Sequence, residues 1–232
     1  MIPLFYTLFP CTYLLACTIP QQQASNCPEG MVAFDATEFT VGLASPSRSW
    51  HESAHTVSLD AFCMDQYEYP NIKGELPKHS VSWEEADSLC TQAGKRLCSS
   101  AEWERACKGT ENRLYSYGNL YNMQTCNTPI DGAGPQGKQV PYTKSGEKEN
   151  CHTPEGVYDL DGSLSEWVAD PWSDFPEPFA KNVVVSPDNW RTIRGGTMWS
   201  HTFYGQDCTS RHGHRKSGWK NMDDGFRCCA NR

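Results

Sequence analysis

Arg194-Gly195-Gly196-Thr197-Met198-Trp199, then Cys208, then Gly225-Phe226-Arg227-Cys228-Cys229: the order of these pieces governs how the whole chain reads. A strand closed by a glycine pair leads into an aromatic-rich loop with Trp199, Phe203 and Tyr204. An isolated cysteine follows, and a short Gly-Phe-Arg-Cys strand ends the stretch. Any chemistry is expected here, so what this segment holds and lacks decides the functional reading.

Outward from it, 232 residues suffice for one sizeable core. Glycine, proline and tryptophan are frequent and no long apolar helix follows the first residues, which points to a loop-rich α+β domain. A net charge of −8 argues against nucleic acid or an anionic membrane surface as a partner. The 12 cysteines show no C-x-x-C spacing of the kind a reduced, metal-binding chain carries. An exported, disulfide-bonded domain is the better reading.

The first residues agree. Ile2 to Ala16 is uncharged, mostly apolar and too short to span a bilayer, which reads as a signal peptide over 1–16. Leu14-Leu15-Ala16-Cys17 resembles the lipobox of bacterial lipoproteins, with Cys17 lipidated, although no Lys or Arg precedes the apolar run; an ordinary signal peptide is the alternative. Residues 17–28 then form a polar, lipid-anchored linker and 29–232 the folded domain. Ten cysteines remain after Cys17, an even number that fits five bridges.

Met31–Phe34 and Phe39–Gly42 read as strands, and Val57, Leu59 and Ala61 alternate in a half-buried strand that runs on into Phe62-Cys63-Met64-Asp65. Ser82-Trp83-Glu84-Glu85 is a capping box for a helix with Ala86, Leu89, Cys90 and Ala93 on one face and Gly94 as its stop. Ser99-Ser100-Ala101-Glu102 opens a second helix over Ala101–Lys108, turning Trp103, Ala106 and Cys107 inward. From Gly109 to Pro154 no regular element is evident, so Cys126 and Cys151 are candidate ties for a long ordered loop.

Two motifs offer metal ligands. Asp159, Asp161 and Glu166 around the turn at Gly162 present hard oxygens, which calcium takes together with backbone carbonyls. The alternative is a turn whose carboxylates cap amides. His201, His212 and His214 near Asp207 form a weaker transition-metal candidate, more often exposed loop residues. Ser200 beside His201 lacks the Gly-x-Ser-x-Gly setting of a nucleophile, so no catalytic residue is assigned.

Taken together, Phe62-Cys63-Met64-Asp65 with Tyr67-Glu68, Val81-Ser82-Trp83-Glu84-Glu85-Ala86, Gly94-Lys95-Arg96-Leu97, Ala101-Glu102-Trp103-Glu104, Tyr117-Gly118-Asn119, Gly156-Val157-Tyr158-Asp159 with Glu166-Trp167, Arg194-Gly195-Gly196 and Gly225-Phe226-Arg227-Cys228 resemble the formylglycine-generating enzyme family, the sulfatase-modifying factor domain. The resemblance spans about Met31 to Cys229. It implies an irregular, disulfide-rich α+β fold of the C-type-lectin-like kind, with the first and last strands brought together. It also implies Cys90–Cys228 and Cys107–Cys208 bridges. A structural calcium would be held by Asp159, Glu166 and the carbonyls of Gly162 and Leu164, with Asn127 and Thr128 opening a second calcium site.

Oxidases of that family bind copper(I) through two cysteines between the Gly-Gly strand and the position of Cys208. Here Ser200 and Gly205 stand at those positions, and neither supplies a thiolate, so copper is not expected. Two readings follow. One is a non-oxidase binding or scaffold domain at the bacterial cell envelope, with Trp199, His201 and Arg211 lining a site for a peptide, glycan or small ligand. The other is an oxidoreductase of the same family with an altered active site.

Overall fold

The computed structural model describes residues 27–46, 51–128, 141–172, 190–197, 206–216 and 218–232. In chain order the elements are β1 (Met31–Phe34), β2 (Thr37–Val41), β3 (His55–Leu59), β4 (Phe62–Asp65), α1 (Trp83–Gln92), β5 (Arg96–Leu97) and α2 (Ser100–Lys108). Then come β6 (Ser165–Pro171), β7 (Trp190–Arg194), β8 (Arg211–Lys216), β9 (Asp224–Phe226) and β10 (Cys228–Asn231). The expected 159-to-166 turn enters β6, and the Gly195-Gly196 pair closes β7.

The strands form a sheet in the order β1-β4-β10-β5, a β2-β3 hairpin, and a second sheet in the order β8-β7-β6-β9. The chain's first and last described strands therefore share one sheet through β4. All four residues of β4 are buried, as a strand with neighbours on both edges and packing on both faces requires. Phe34 and Phe62 stand opposite each other across β1 and β4, their rings stacked at 4.7 Å.

Two expected strands are each divided in two. The run from Val57 to Asp65 breaks at Asp60–Ala61: β3 pairs with β2, placing Val57 opposite Phe39, whereas β4 joins the other sheet. The half-exposed alternation of β3 and the full burial of β4 are the local mark of that change. The Gly225-to-Cys228 segment likewise divides at Arg227. β9 runs parallel to β6, and β10 runs antiparallel to β4 and β5.

Both helices start at complete capping boxes. The Ser82 and Ser99 side chains accept from the Glu85 and Glu102 amides, and those glutamates reach back to the cap N–H groups. The second helix begins at Ser100, one residue before the expected start. Ala93, expected on the inner face of α1, is exposed at its C-cap.

Five disulfides tie the domain: Cys27–Cys63, Cys90–Cys228, Cys98–Cys229, Cys107–Cys208 and Cys126–Cys151. The second and fourth are the pairings implied by the resemblance. Cys126–Cys151 closes the long irregular region. Trp103, Leu160, Val157 and Val168 pack with Cys107 and Cys208 in one core, and Trp167, Ile193 and Phe226 with Cys90 and Cys228 in another.

Candidate functional site

Arg227 marks the passage from one sheet to the other, and its side chain fills the space between them. Its Nε and Nη2 donate to the two oxygens of Glu166 at 2.7 Å each, a side-on fork, and Trp103 Nε1 donates to Oε2 at 2.8 Å. Arg227 and Glu166 are each 1% exposed. Burial favours the neutral guanidine, but the Glu166 carboxylate outweighs it and holds the Arg227 pKa above its ordinary value.

Around this pair lie two more buried acids, Asp159 and Glu68. Asp159 Oδ2 accepts from Gly146 N at 2.7 Å, and Glu68 Oε1 accepts from Leu164 N at 3.2 Å. Burial and repulsion from Glu166 and Asp159 push Glu68 well above the carboxylate range. Asp159 is raised to about 6, chiefly by burial, against hydrogen bonding from Gly146 and attraction to Arg227. Glu166 is thus the acid paired with Arg227, and Glu68 and Asp159 beside it are shifted toward their neutral forms.

The backbone of the turn is braced from outside. Ser163 N donates to Asn127 O at 2.9 Å, and Ser165 N donates to Asp223 O at 2.8 Å. A trans peptide directs its carbonyl opposite to its N–H, so the Gly162 and Leu164 carbonyls point away from those acceptors. Gly162 has φ +86°, and a Cβ there would lie 2.4 Å from Asn127 O, so the brace and the glycine require each other. Carboxylate and carbonyl oxygens are the ligands a hard cation takes, and here both oxygens of Glu166 are bonded to Arg227 and Trp103. Asn127 serves the same turn: its carbonyl takes Ser163 N and its Nδ2 donates to Pro141 O at 3.3 Å. The loop that follows, 129–140, lies outside the described residues.

Asp161 takes no part in that set, contrary to the expectation from the turn's composition. Its Oδ2 accepts from Ser116 N at 2.7 Å and from Ser116 Oγ, which draws the side chain towards Cys107 and Cys208. Burial raises it to about 7.

On the other side of α2, Arg194 and Arg211 sit at the ends of β7 and β8, opposite each other in register. Arg194 Nε donates to Ser100 Oγ at 2.7 Å, and its Nη2 lies 2.9 Å from Glu104 Oε2 as an ion pair outside hydrogen-bond geometry. Arg211 Nη1 donates to Glu52 Oε2 at 3.1 Å, and its guanidinium lies 5.3 Å from the Trp172 ring centroid. Arg194, Arg211, Glu52, His55, Ser100 and Asp170 line a cavity of about 280 Å³. Gly195, at φ +73°, and Gly196, against which the Gln206 amide packs with no room for a Cβ, follow β7. Trp199, Ser200, His201 and Gly205 lie outside the described residues, as do Cys17 and the 1–16 segment. His212 falls in β8 opposite Ile193, with His214 further along the strand.

Several buried polar residues are not marked as site residues by the sequence. Glu68, Glu104 and Arg113 are assigned no site role there, and His51 pairs with Asp207, 156 residues away, at 3.2 Å. Glu68 and Glu104 stood in matched segments, beside Tyr67 and Trp103, whereas Arg113 and His51 carried no clue, and the partner of His51 is distant in the chain.

A family model described as the sulfatase-modifying factor enzyme 1-like domain matches residues 69–232. The formylglycine-generating enzyme of Mus musculus is 31% identical over 169 residues, covering 66% of this chain and 44% of that protein. The inactive C-alpha-formylglycine-generating enzyme 2 of Mus musculus is 34% identical over 102 residues, 42% of this chain and 33% of that one. The chain thus spans less than half the length of these curated relatives. Among solved structures, PvdO from Pseudomonas aeruginosa superposes with a TM-score of 0.66 over 87% of this chain and 94% of its own, at 19% identity, which fixes the shared fold. The fold is the irregular, disulfide-rich C-type-lectin-like α+β architecture expected from the sequence. By a family match over most of its length, the chain belongs to the formylglycine-generating enzyme, or sulfatase-modifying factor, family.

Proposed function

We propose that this protein is a non-oxidase member of its family, a binding domain exported to the cell envelope and anchored there through a lipidated Cys17. The observation that carries the reading is the state of its thiols. All ten cysteines from Cys27 onward are paired in five bridges, and Ser200 and Gly205 stand where the family's oxidases carry cysteine. A copper(I) centre needs soft thiolate ligands, and bridged sulfur does not supply them. One of the similar proteins bears the name of an inactive formylglycine-generating enzyme, so loss of the oxidase chemistry has a precedent among relatives.

Ligand recognition is assigned to the face around Arg211, together with Trp199 and His201. The 280 Å³ cavity presents arginines, acids and a histidine, a composition suited to a polar peptide segment, glycan or small ligand. Asp159, Glu166 and the carbonyls of Gly162 and Leu164 would hold calcium, which keeps the turn in place.

Thiol titration of the denatured, unreduced protein together with metal analysis tests the reading. The expected result is no free thiol in residues 27–232, with calcium and no copper. Stoichiometric copper, or oxygen uptake in the presence of a cysteine-containing peptide, would overturn it in favour of the oxidoreductase reading.

A further inference from the structure

Unsatisfied polar groups gather around one bridge. Asp161 is 1% exposed, and its Oδ1 has no hydrogen-bond donor, although Oδ2 is fully engaged by Ser116. A buried carboxylate oxygen without a donor is costly and calls for an explanation. Sulfur lies close by: a carboxylate oxygen of Asp161 and the sulfurs of Cys107 and Cys208 all lie within 4.8 Å of one another. Among the described residues they are the one His, Cys, Asp or Glu trio that converges so closely. Arg113, 6% exposed, belongs to the same neighbourhood, since its charge and that of Asp207 both act on Asp161. Its Nε and Nη2 likewise lack acceptors, with Glu155 no nearer than 3.6 Å. In Arg227 that same edge of the guanidinium is filled by Glu166.

With the sulfurs bonded to each other, Asp161 Oδ1 has no donor, and the Arg113 edge has only a 3.6 Å ion pair with Glu155. Opening the bridge changes this. Each sulfur becomes a thiol that donates, or a thiolate that binds metal. The bonded sulfurs stand 2.00 Å apart and move apart on reduction to reach one zinc ion, with Zn–S about 2.3 Å and Zn–O about 2.0–2.2 Å. Two thiolates and one carboxylate bring three negative charges, against which stand a divalent ion and an Arg113 guanidinium shared with Glu155.

We propose that reduction of Cys107–Cys208 converts this spot into a binding site for a divalent d10 metal ion, zinc in the first instance, held by Cys107 Sγ, Cys208 Sγ and Asp161 Oδ1. An external dithiol supplies the two electrons and is itself oxidised to a disulfide, passing its protons to the two released sulfurs. The Sγ–Sγ bond breaks, and on metal binding the two thiol protons leave to solvent. In the oxidised protein Asp161 is a poised ligand. In the reduced protein the metal replaces the lost cross-link between the end of α2 and the segment before β8. This site is separate from the ligand face around Arg211 and stands or falls without it.

The test uses the full chain, reduced anaerobically with a limiting amount of dithiothreitol, desalted, and titrated with Cd2+ and Zn2+. Thiols are mapped by alkylation and mass spectrometry, and Cd2+ binding is read from its sulfur-to-metal charge-transfer absorption. The expected result is that Cys107 and Cys208 are alkylated in the reduced protein, that either metal protects both, and that the Cd2+ band develops. Asp161→Asn should weaken Cd2+ binding by about tenfold or more. Should that variant not fold, metal protection in the wild type decides alone. The proposal is overturned if Cd2+ leaves alkylation of Cys107 and Cys208 unchanged, if a folded Asp161→Asn binds Cd2+ as the wild type does, or if all five bridges open together with loss of circular dichroism.

Discussion

The two helices begin alike and end up in different surroundings. Each starts at a serine capping box, and each is tied by one inward cysteine to the last third of the chain, α1 through Cys90–Cys228 and α2 through Cys107–Cys208. Yet α1 buries only Ala86 and Cys90, whereas α2 also buries Glu102, Glu104, Arg105 and Lys108. The difference teaches that α2 is a polar core element, its charges satisfied by distant parts of the chain. Glu104 Oε1 accepts from Gly42 N at 2.7 Å and from Lys108 Nζ at 3.2 Å, and Lys108 also donates to Thr40 O and Gly42 O. Arg105 pairs with Glu155 at 3.4 Å and lies over Phe34. Through these contacts α2 joins the β2-β3 hairpin to the strand that carries Arg194.

The largest expected effect comes from breaking that junction. Glu104→Gln leaves Arg194 and Lys108 buried without their acid, and removing one partner of a buried pair costs roughly 3–5 kcal/mol. Glu84→Gln on exposed α1 should change stability by less than about 0.5 kcal/mol. Urea denaturation with the disulfides intact measures both. A loss below about 1 kcal/mol for Glu104→Gln would mean that the α2 charges are far better solvated than their burial implies.

The same contrast explains what was legible in the sequence. Caps, inward cysteines and the glycine stop of α1 are local signals, set by residues three or four apart, and the structure keeps each of them. Apolar periodicity marks Trp103, Ala106 and Cys107 as inward but reads Glu104, Arg105 and Lys108 as solvated, since nothing nearby announces Arg194, Gly42 or Glu155. Arg227 is the same case at the site. It sits within a matched segment, but its fork to Glu166 across 61 residues, and the strand break it causes, arise only from tertiary packing. The turn at 159–166 was legible as an oxygen-rich motif; the diversion of Asp161 to Ser116 and the sulfurs was not.

The acids beside the two helix bridges differ in sign, and pH sharpens the comparison. Near Cys228, Asp65 is raised, mainly by burial, against its hydrogen bond and ion pair with Lys95. Next to Cys208, burial alone would raise Asp207, but hydrogen bonds from His51, Thr209 and Ser210, with the His51 charge, outweigh it and hold it at about 2. A depressed folded value stabilises above the unfolded value, here the ordinary 3.8, and that contribution is lost as pH falls towards about 2. The shift corresponds to roughly 2 kcal/mol. Asp207→Asn should therefore lose about this much at neutral pH and show a flatter fall between about pH 5 and pH 2. Parallel wild-type and variant curves of stability against pH would remove Asp207 from the acid limb.

The smallest effect concerns the caps themselves. Ser82→Ala and Ser99→Ala each remove one side-chain acceptor from a first-turn amide, a loss of about 1 kcal/mol in either helix. The boxes differ in what holds their glutamates. Glu85 is exposed and paired with the equally exposed Lys220, whereas Glu102 is buried and takes both Nη groups of Arg96 at 2.8 and 2.6 Å. A glutamate fixed by Arg96 still reaches the Ser99 amide after the serine hydroxyl is gone, so its half of the box survives. Glu85, whose partner Lys220 is half exposed, gives its half less support. Ser82→Ala should then be the more damaging of the two relative to its own Ser→Ala/Glu→Gln double variant, with weaker residual capping in α1. Equal residual capping in the two cycles would mean that burial of α2, rather than its Arg96-fixed box, determines where that helix begins.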